Sequence, residues 1–179
     1  AANELINANR RSKMIEIPLG WKLVLLAVLL IISGVFSIAE TSMMAINRYR
    51  LKVLARAGSR GAQLTTELLA RTDKLLGVIL LGNNLVNAAA ATLVGVITIE
   101  LFGNNDVAIG IGTLAVTFLI LVFSEITPKV LGAAYAEHIA LPLSYALTPM
   151  LRILYPIVWF VNLFVSSLLI IMRIKPSTD

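Results

Sequence analysis

The sequence contains no cysteine, and few of its residues carry a charge. Without cysteine the chain forms neither a disulfide framework nor a thiolate metal site. Charged residues make up 14% of the 179 residues, whereas about a quarter is usual for a soluble domain. The apolar fraction is 58% and the mean hydropathy is +0.88. Because a compact core cannot enclose so much apolar surface, the composition predicts an integral membrane protein in contact with the lipid bilayer.

Acidic residues are scarce as well, at ten against fifteen basic ones, which leaves a net charge of +5. No basic patch carries the interleaved aromatic residues of a nucleic-acid-binding surface, so we expect no nucleic-acid partner. In a membrane chain, basic residues set the orientation and contact anionic head groups. The sequence also lacks a nucleophile–base arrangement, a phosphate-binding glycine loop and a metalloprotease helix, so no enzymatic activity is predicted.

Three apolar runs are long enough to cross a bilayer, which takes about twenty residues. They occupy residues 21–42, 75–102 and 107–127, with a polar turn at 103–106 and a proline, Pro128, after the third. We therefore predict an all-α integral membrane protein with three transmembrane helices plus a juxtamembrane helical belt.

The remaining segments differ in composition from the spans. Residues 1–17 form a polar N-terminal extension, and residues 46–74 are basic with apolar residues near helical spacing, which is typical of helices in the head-group plane. Residues 129–174 carry three prolines at seven-residue spacing, Pro142, Pro149 and Pro156. Since proline kinks or ends a helix, we predict short helices in a belt, with one kinked helix from about Leu151 to Met172 as the alternative.

The basic residues also predict the orientation. With three spans, eleven of them lie on the side that holds the 46–74 segment and the tail, against four on the other side. The positive-inside rule then places the N-terminus outside and the C-terminus in the cytosol of a multi-pass protein of the inner (plasma) membrane. A fourth full span in the tail would reverse the position of the C-terminus.

Polar residues form a stripe at the end of the first span. Ser33, Ser37, Glu40 and Thr41 stand at i, i+4, i+7 and i+8, and so share one helix face. The alternative is that the hydroxyls bond to their own helix and Glu40 sits in the head-group layer. For the set of four we favour a polar pathway.

The second span carries three amides, Asn83, Asn84 and Asn87. An amide oxygen is a good ligand for a hard cation, and amides deep in a span must find polar partners. The alternative is that these amides only join helices by hydrogen bonds, without a substrate.

The third span ends in Ser124, Glu125 and Pro128, followed by Lys129. An acid in a span is costly unless paired or hydrated, and is therefore a functional candidate. Pro128 lacks an N–H, so the predicted helix break leaves the Ser124 carbonyl free beside Glu125. The alternative is a simple Glu125–Lys129 pair at i, i+4.

One hydroxyl, one amide and one carboxylate thus lie at similar depth on three helices, on Ser37, Asn84 and Glu125. An all-oxygen set suits Mg²⁺, Ca²⁺ or Na⁺ and disfavours Zn²⁺ or Cu²⁺. His138 stands alone near an interface and is interpreted as structural.

Three ordered motifs resemble the CNNM/CorC family of magnesium transporters over about residues 20–174. They are the run from Ser33 to Thr41, the run from Gly82 to Asn87 and the run from Ser124 to Lys129. The resemblance implies a homodimeric membrane domain that exports Mg²⁺, driven by inward Na⁺ movement. It implies Mg²⁺ ligands at Ser37, Asn84 and Glu125, with Ser33, Glu40, Asn83 and Asn87 beside the pathway. From their positions in the same motifs we expect Thr41 and Ser124 on the pathway as well.

The same resemblance implies cytosolic CBS-type nucleotide-binding modules in the full polypeptide, to which residues 175–179 would be a truncated linker. The function expected from the sequence is therefore the membrane domain of a secondary Mg²⁺ transporter. The alternative is a membrane scaffold that senses Mg²⁺ for regulatory domains without moving the ion.

Overall fold

A computed structural model describes residues 17–103 and 105–172. The predicted extension, apart from Ile17, and the predicted linker at 175–179 lie outside the described residues. Within the described ranges the regular structure is entirely helical, which confirms the all-α prediction.

The chain begins with one long helix, two short ones and a second long one. These are α1 (Leu19–Ala45), α2 (Arg48–Arg56), α3 (Arg60–Leu69) and α4 (Thr72–Phe102). A further long helix runs from Asp106 to Ala134 in three parts, α5 (Asp106–Leu119), a π-helical turn π1 (Ile120–Ile126) and α6 (Thr127–Ala134). The last helix is α7 (Ala136–Ile171).

The two short helices, α2 and α3, occupy the basic segment, and side chains cap each of them. The Asn47 side chain accepts hydrogen bonds from the backbone N–H groups of Tyr49 and Arg50 at the start of α2. The Ser59 hydroxyl accepts from Ala62 N–H at the start of α3. Between them Gly58 has φ of 91°, a left-handed conformation that glycine adopts without strain. The Ser59 cap and the left-handed Gly58 therefore determine where α2 ends and α3 begins.

Helix α1 lies at the centre of the bundle and contacts α4, π1, α6 and α7. It runs antiparallel to α4, because Lys22 near its start pairs with Glu100 near the end of α4. The buried apolar core lies at the opposite end of α1, where Met43 meets Leu75, Val78 and Ile79 of α4. Elsewhere the long helices expose apolar side chains, as spans in contact with lipid do.

The described residues contain four helices long and apolar enough to cross a membrane, not the three predicted. The fourth is α7, a single helix of 36 residues where short helices were expected. Pro142, Pro149 and Pro156 do not end it. Their seven-residue spacing places all three on one exposed face of the helix. Each proline removes one backbone donor, and helices next to other helices tolerate such a loss.

The prediction that Pro128 ends the third span was also wrong, since the helix continues to Ala134. The reason is the π-helical turn just before it, in which Thr127 N–H donates to Val122 O, five residues back. The wider turn shifts the hydrogen-bond register, and Pro128 then stands in the first turn of α6, a position where its missing donor matters least.

Candidate functional site

Two serines of α1 point into the bundle and are fully buried. Ser33 and Ser37 are one turn apart, and both have 0% of their surface exposed. Gly34 lies between them, and a Cβ there would contact Pro128 Cγ at 3.5 Å and Phe123 O at 3.6 Å. The small residue therefore lets the backbone of π1 come close to the serines, as small residues do in membrane helix contacts.

The Ser33 hydroxyl meets two amides of α4. It lies 2.9 Å from Asn83 Oδ1 and 2.6 Å from Asn87 Oδ1, within donating distance of both. A hydroxyl has one proton, so it satisfies one of these oxygens at a time. Asn83 is 7% exposed. Three oxygen atoms thus converge at a buried point between α1 and α4.

Glu125 of π1 joins this group from the third helix. The Asn87 amide nitrogen lies 3.4 Å from Glu125 Oε1, and the Ser37 hydroxyl lies 3.4 Å from the Glu125 backbone oxygen. The neighbouring Ser124 is fully buried and donates to Leu30 O of α1 at 2.9 Å. We call the six residues that these bonds connect or place side by side the polar cluster: Ser33, Ser37, Asn83, Asn87, Ser124 and Glu125.

Lys129 does not pair with Glu125, which removes the simple alternative for that acid. Its Nζ lies 3.8 Å from Glu40 Oε2 of α1. Among the described residues no Lys, Arg or His nitrogen lies within 4.0 Å of the Glu125 carboxylate. Within the described part of the chain, the Glu125 carboxylate thus enters the polar cluster without a paired cation.

Three predicted residues lie apart from the polar cluster. Asn84 is exposed, although Asn83 beside it is buried. Glu40 is engaged with Lys129, and the Thr41 hydroxyl donates to Ser37 O of its own helix at 3.2 Å. The packing of α4 against α1 therefore places Asn83 and Asn87 in the cluster contacts and Asn84 on another face of α4.

Two close helix contacts were missed at the level of sequence. A Cβ on Gly82 would lie 2.6 Å from the Phe36 ring, and a Cβ on Gly132 would lie 2.9 Å from Ile38 O. These glycines allow α4 and α6 to pack closely against α1, next to the buried serines. The sequence shows a glycine, Gly82, directly before the asparagines. It does not show that the Phe36 ring packs against this glycine.

The chemistry of the polar cluster is that of a hard-cation site. Its possible ligands are hydroxyl, amide, carbonyl and carboxylate oxygens, which favour Mg²⁺, Ca²⁺ or Na⁺. In the part of the chain that the structure describes, no three His, Cys, Asp or Glu residues come together. The arrangement therefore does not resemble a zinc or copper centre.

Comparison with known protein families identifies the family of this chain. Residues 24–179 match the family described as the Cyclin M transmembrane N-terminal domain, or CNNM. The chain belongs to the CNNM family.

Curated relatives of this CNNM domain come from several organisms. It is 43% identical over 162 residues to a UPF0053 protein of Haemophilus influenzae, covering 90% of the chain and 38% of the relative. It is 42% identical over 144 residues to the UPF0053 inner membrane protein YfjD of Escherichia coli, covering 80% and 33%. It is 31% identical to a chloroplastic DUF21 domain-containing protein of Arabidopsis thaliana, covering 87% and 23%. The chain thus spans between about a quarter and two fifths of the length of these relatives.

Membership confirms the family resemblance of the three motifs and the character of the chain as a multi-pass membrane domain. All six residues of the polar cluster lie within the CNNM match, on the three helices that carry those motifs.

Proposed function

We propose that this CNNM domain is the membrane part of a secondary transporter that passes Mg²⁺ through the polar cluster. The CNNM family is generally linked to divalent cation transport and is not known as an enzyme family. The observation that carries the proposal is the position of Glu125. Its backbone oxygen lies 3.4 Å from the buried Ser37 hydroxyl, its carboxylate lies 3.4 Å from the Asn87 amide, and no described cation neutralises it.

The spacing of the oxygens supports a small divalent ion. Mg²⁺ holds its ligands at 2.0–2.1 Å in an octahedron, so neighbouring ligand oxygens are about 3 Å apart. Ser37 Oγ and Glu125 O are 3.4 Å apart and need only a small adjustment to share one ion. A site with one carboxylate binds weakly, which suits an ion that has to leave again.

The proposed ligands are Ser37, Asn84 and Glu125. The contacts support Ser37 and Glu125, and they add Asn87, whose amide already reaches the carboxylate. Asn84 is exposed one residue along from the cluster. It contributes to the ion path if α4 rotates or if the ion enters from its side. We assign Ser33 and Asn83 to an adjoining Na⁺ site that shares Asn87 with the Mg²⁺ site, and we propose export as the direction of Mg²⁺ transport.

We also propose the positive-inside orientation, with the N-terminus outside, and a belt role for α7. The contacts of α7 with α4 support the belt, because they involve Lys74 and Gly77 in the first two turns of α4. This end of α4 adjoins the basic segment 46–74, which is predicted to lie in the head-group plane. The inner membrane is the proposed location, as for the E. coli relative that is named an inner membrane protein.

The proposed homodimer would use an apolar groove between α1 and π1, at which Ile31, Val35 and Phe123 are exposed. Because the chain has no cysteine, Val35→Cys introduces a single thiol. Oxidation should cross-link Val35→Cys, whereas Ile153→Cys on α7 should remain monomeric on a denaturing gel. Equal cross-linking of both variants would contradict this dimer face.

The transport proposal is tested with purified protein in liposomes and by titration calorimetry with Mg²⁺. We expect Glu125→Gln to abolish Mg²⁺ flux and to lower Mg²⁺ affinity by at least about thirty-fold, since it removes the one full charge of the cluster. The matched control is Glu100→Gln, which removes a carboxylate at the far end of the bundle. Equal affinity in the two variants would refute the site.

The scaffold alternative shares the same site and differs only in flux. Liposomes that bind Mg²⁺ through Glu125 but show no Mg²⁺ movement under any Na⁺ gradient would favour the scaffold over the transporter.

A further inference from the structure

A second polar feature lies away from the polar cluster, where α3 ends, α4 begins and α7 passes both. Here a cavity of about 490 Å³ has three basic residues in its wall, Arg71, Lys74 and Arg152. Its other lining residues are Glu67, Leu68, Ala70, Thr148, Leu151 and Tyr155. We call this cavity the basic pocket.

The basic pocket carries an excess of positive charge. Against its three cations stands one lining carboxylate, Glu67. Among the described residues, no carboxylate lies within 4.0 Å of the charged groups of Arg71, Lys74 or Arg152. The one partner found for them is an aromatic ring, since Lys74 Nζ lies 4.6 Å from the centre of the Tyr155 ring. The three cations thus line one cavity with a single carboxylate, and none of them forms a salt bridge with a described residue.

The start of α4 adds to the positive potential. Arg71 is the N-cap residue of this helix of 31 residues, and no side chain caps its first N–H groups. These groups and the helix dipole favour an anion, although Asp73 in the first turn offsets part of the field. Guanidinium groups in turn bind phosphate oxygens in a bidentate geometry. The chemistry of the pocket is therefore that of a phosphate site.

The surroundings of the pocket distinguish a lipid phosphate from a soluble one. Leu68, Ala70 and Leu151 give it an apolar wall. On the same stretch of α7, apolar side chains are exposed, with Ile153 73% and Ile157 48% exposed. Basic groups, an interfacial tyrosine and an apolar surface for acyl chains occur together where anionic lipids bind between membrane helices. A soluble phosphate has no acyl chain that would cover that apolar surface.

We propose that the basic pocket binds the phosphate of an anionic glycerophospholipid, whose acyl chains lie along the apolar surface of α7. The bound lipid would offset part of the positive charge of Arg71, Lys74 and Arg152 and would join α7 to the start of α4. This site is separate from the polar cluster and does not depend on the proposed transport of Mg²⁺.

The test uses native mass spectrometry of the purified chain in detergent, with added phosphatidylglycerol or with phosphatidylcholine of the same acyl chains. We expect wild-type protein to retain phosphatidylglycerol in preference to phosphatidylcholine. The variant Arg71→Gln with Arg152→Gln should bind phosphatidylglycerol about thirty-fold more weakly, as expected for two lost charges near a membrane surface. The matched control is Lys52→Gln with Arg56→Gln, two exposed basic residues of α2 outside the pocket, with a loss below about threefold.

Three results would overturn the proposal. Equal losses in the pocket and control variants would show only general attraction to the head-group layer. Equal retention of the two lipids by wild-type protein would exclude an anionic lipid site. Displacement of phosphatidylglycerol by millimolar inorganic phosphate would identify a soluble phosphate as the ligand. A thermal unfolding midpoint for the pocket variant equal to that of the control shows that both are folded.

Discussion

The polar cluster and the basic pocket differ in burial and in the sign of their charge. Ser33, Ser37 and Ser124 are fully buried and bonded across helices, and the only full charge of the cluster is the Glu125 carboxylate. Arg71 and Arg152 of the pocket are exposed, and Lys74 is half-buried. In both regions, however, the described residues leave charged groups without an opposite charge within 4.0 Å. This difference in burial and charge is why we propose different partners for the two regions, a small cation for the polar cluster and a lipid head group for the basic pocket.

The largest difference between the two regions should follow from Asn87→Leu. This change removes the amide that faces both Ser33 and the Glu125 carboxylate. A hydrogen bond to a charged group contributes about 2 kcal/mol, so Mg²⁺ affinity measured by calorimetry should fall about thirty-fold. Retention of phosphatidylglycerol should not change.

Asn162→Leu is the control, because Asn162 is exposed on α7 and belongs to neither region. If Asn87→Leu and Asn162→Leu bound Mg²⁺ equally well, Asn87 would have no part in the ion site, and the contrast between the regions would be lost.

The distance between the backbones of α1 and α6 should affect Mg²⁺ binding at the polar cluster but not lipid binding at the basic pocket. In Gly132→Ala the new Cβ would lie 2.9 Å from Ile38 O and 3.1 Å from Thr41 Cβ, so α6 must move away from α1. Overpacking of this kind costs about 1–3 kcal/mol. We expect a lower thermal unfolding midpoint and weaker Mg²⁺ binding, because α6 continues directly from the turn that holds Glu125.

Gly95→Ala provides the comparison, since nothing lies within 4 Å of a Cβ at Gly95. It should leave the midpoint unchanged or raise it, because alanine favours the helix by up to about 1 kcal/mol. A midpoint for Gly132→Ala at or above that of Gly95→Ala would show that the close contact with α1 is not needed.

Much of the polar cluster is predictable from residue spacing. Ser33 and Ser37 repeat at helical period, as do Asn83 and Asn87, so each pair had to share a face. A membrane span leaves buried polar groups few partners except one another. The meeting of Ser33 with Asn83 and Asn87 follows from these two facts together with the antiparallel order of α1 and α4.

Residue spacing does not predict the features that tertiary packing determines. Asn83 and Asn84 differ by about 100° around α4, and only the position of α1 determines which of them is buried. The π-helical turn before Pro128 has no marker in the sequence, so the proline was interpreted as a helix end. Lys129 has Glu125 at i−4 on its own helix, yet the crossing of α1 and α6 brings Glu40 to it. The continuity of α7 through its three prolines, which share one exposed face, is likewise not predicted by their spacing.

The smallest effects should come from replacing one lysine at a time, Lys129 beside the polar cluster or Lys74 in the basic pocket. Lys129 is about half exposed and lies 3.8 Å from Glu40, a geometry that contributes little in contact with water. Lys129→Gln should therefore change Mg²⁺ affinity by less than about threefold and leave lipid retention unchanged. Lys74→Gln should also leave Mg²⁺ affinity unchanged, but it should weaken phosphatidylglycerol retention about fivefold, because one cation of the pocket is lost. If Lys129→Gln instead raised Mg²⁺ affinity more than tenfold, Lys129 would be competing with the ion for Glu125, and the carboxylate would not be the uncompensated charge on which the cluster depends.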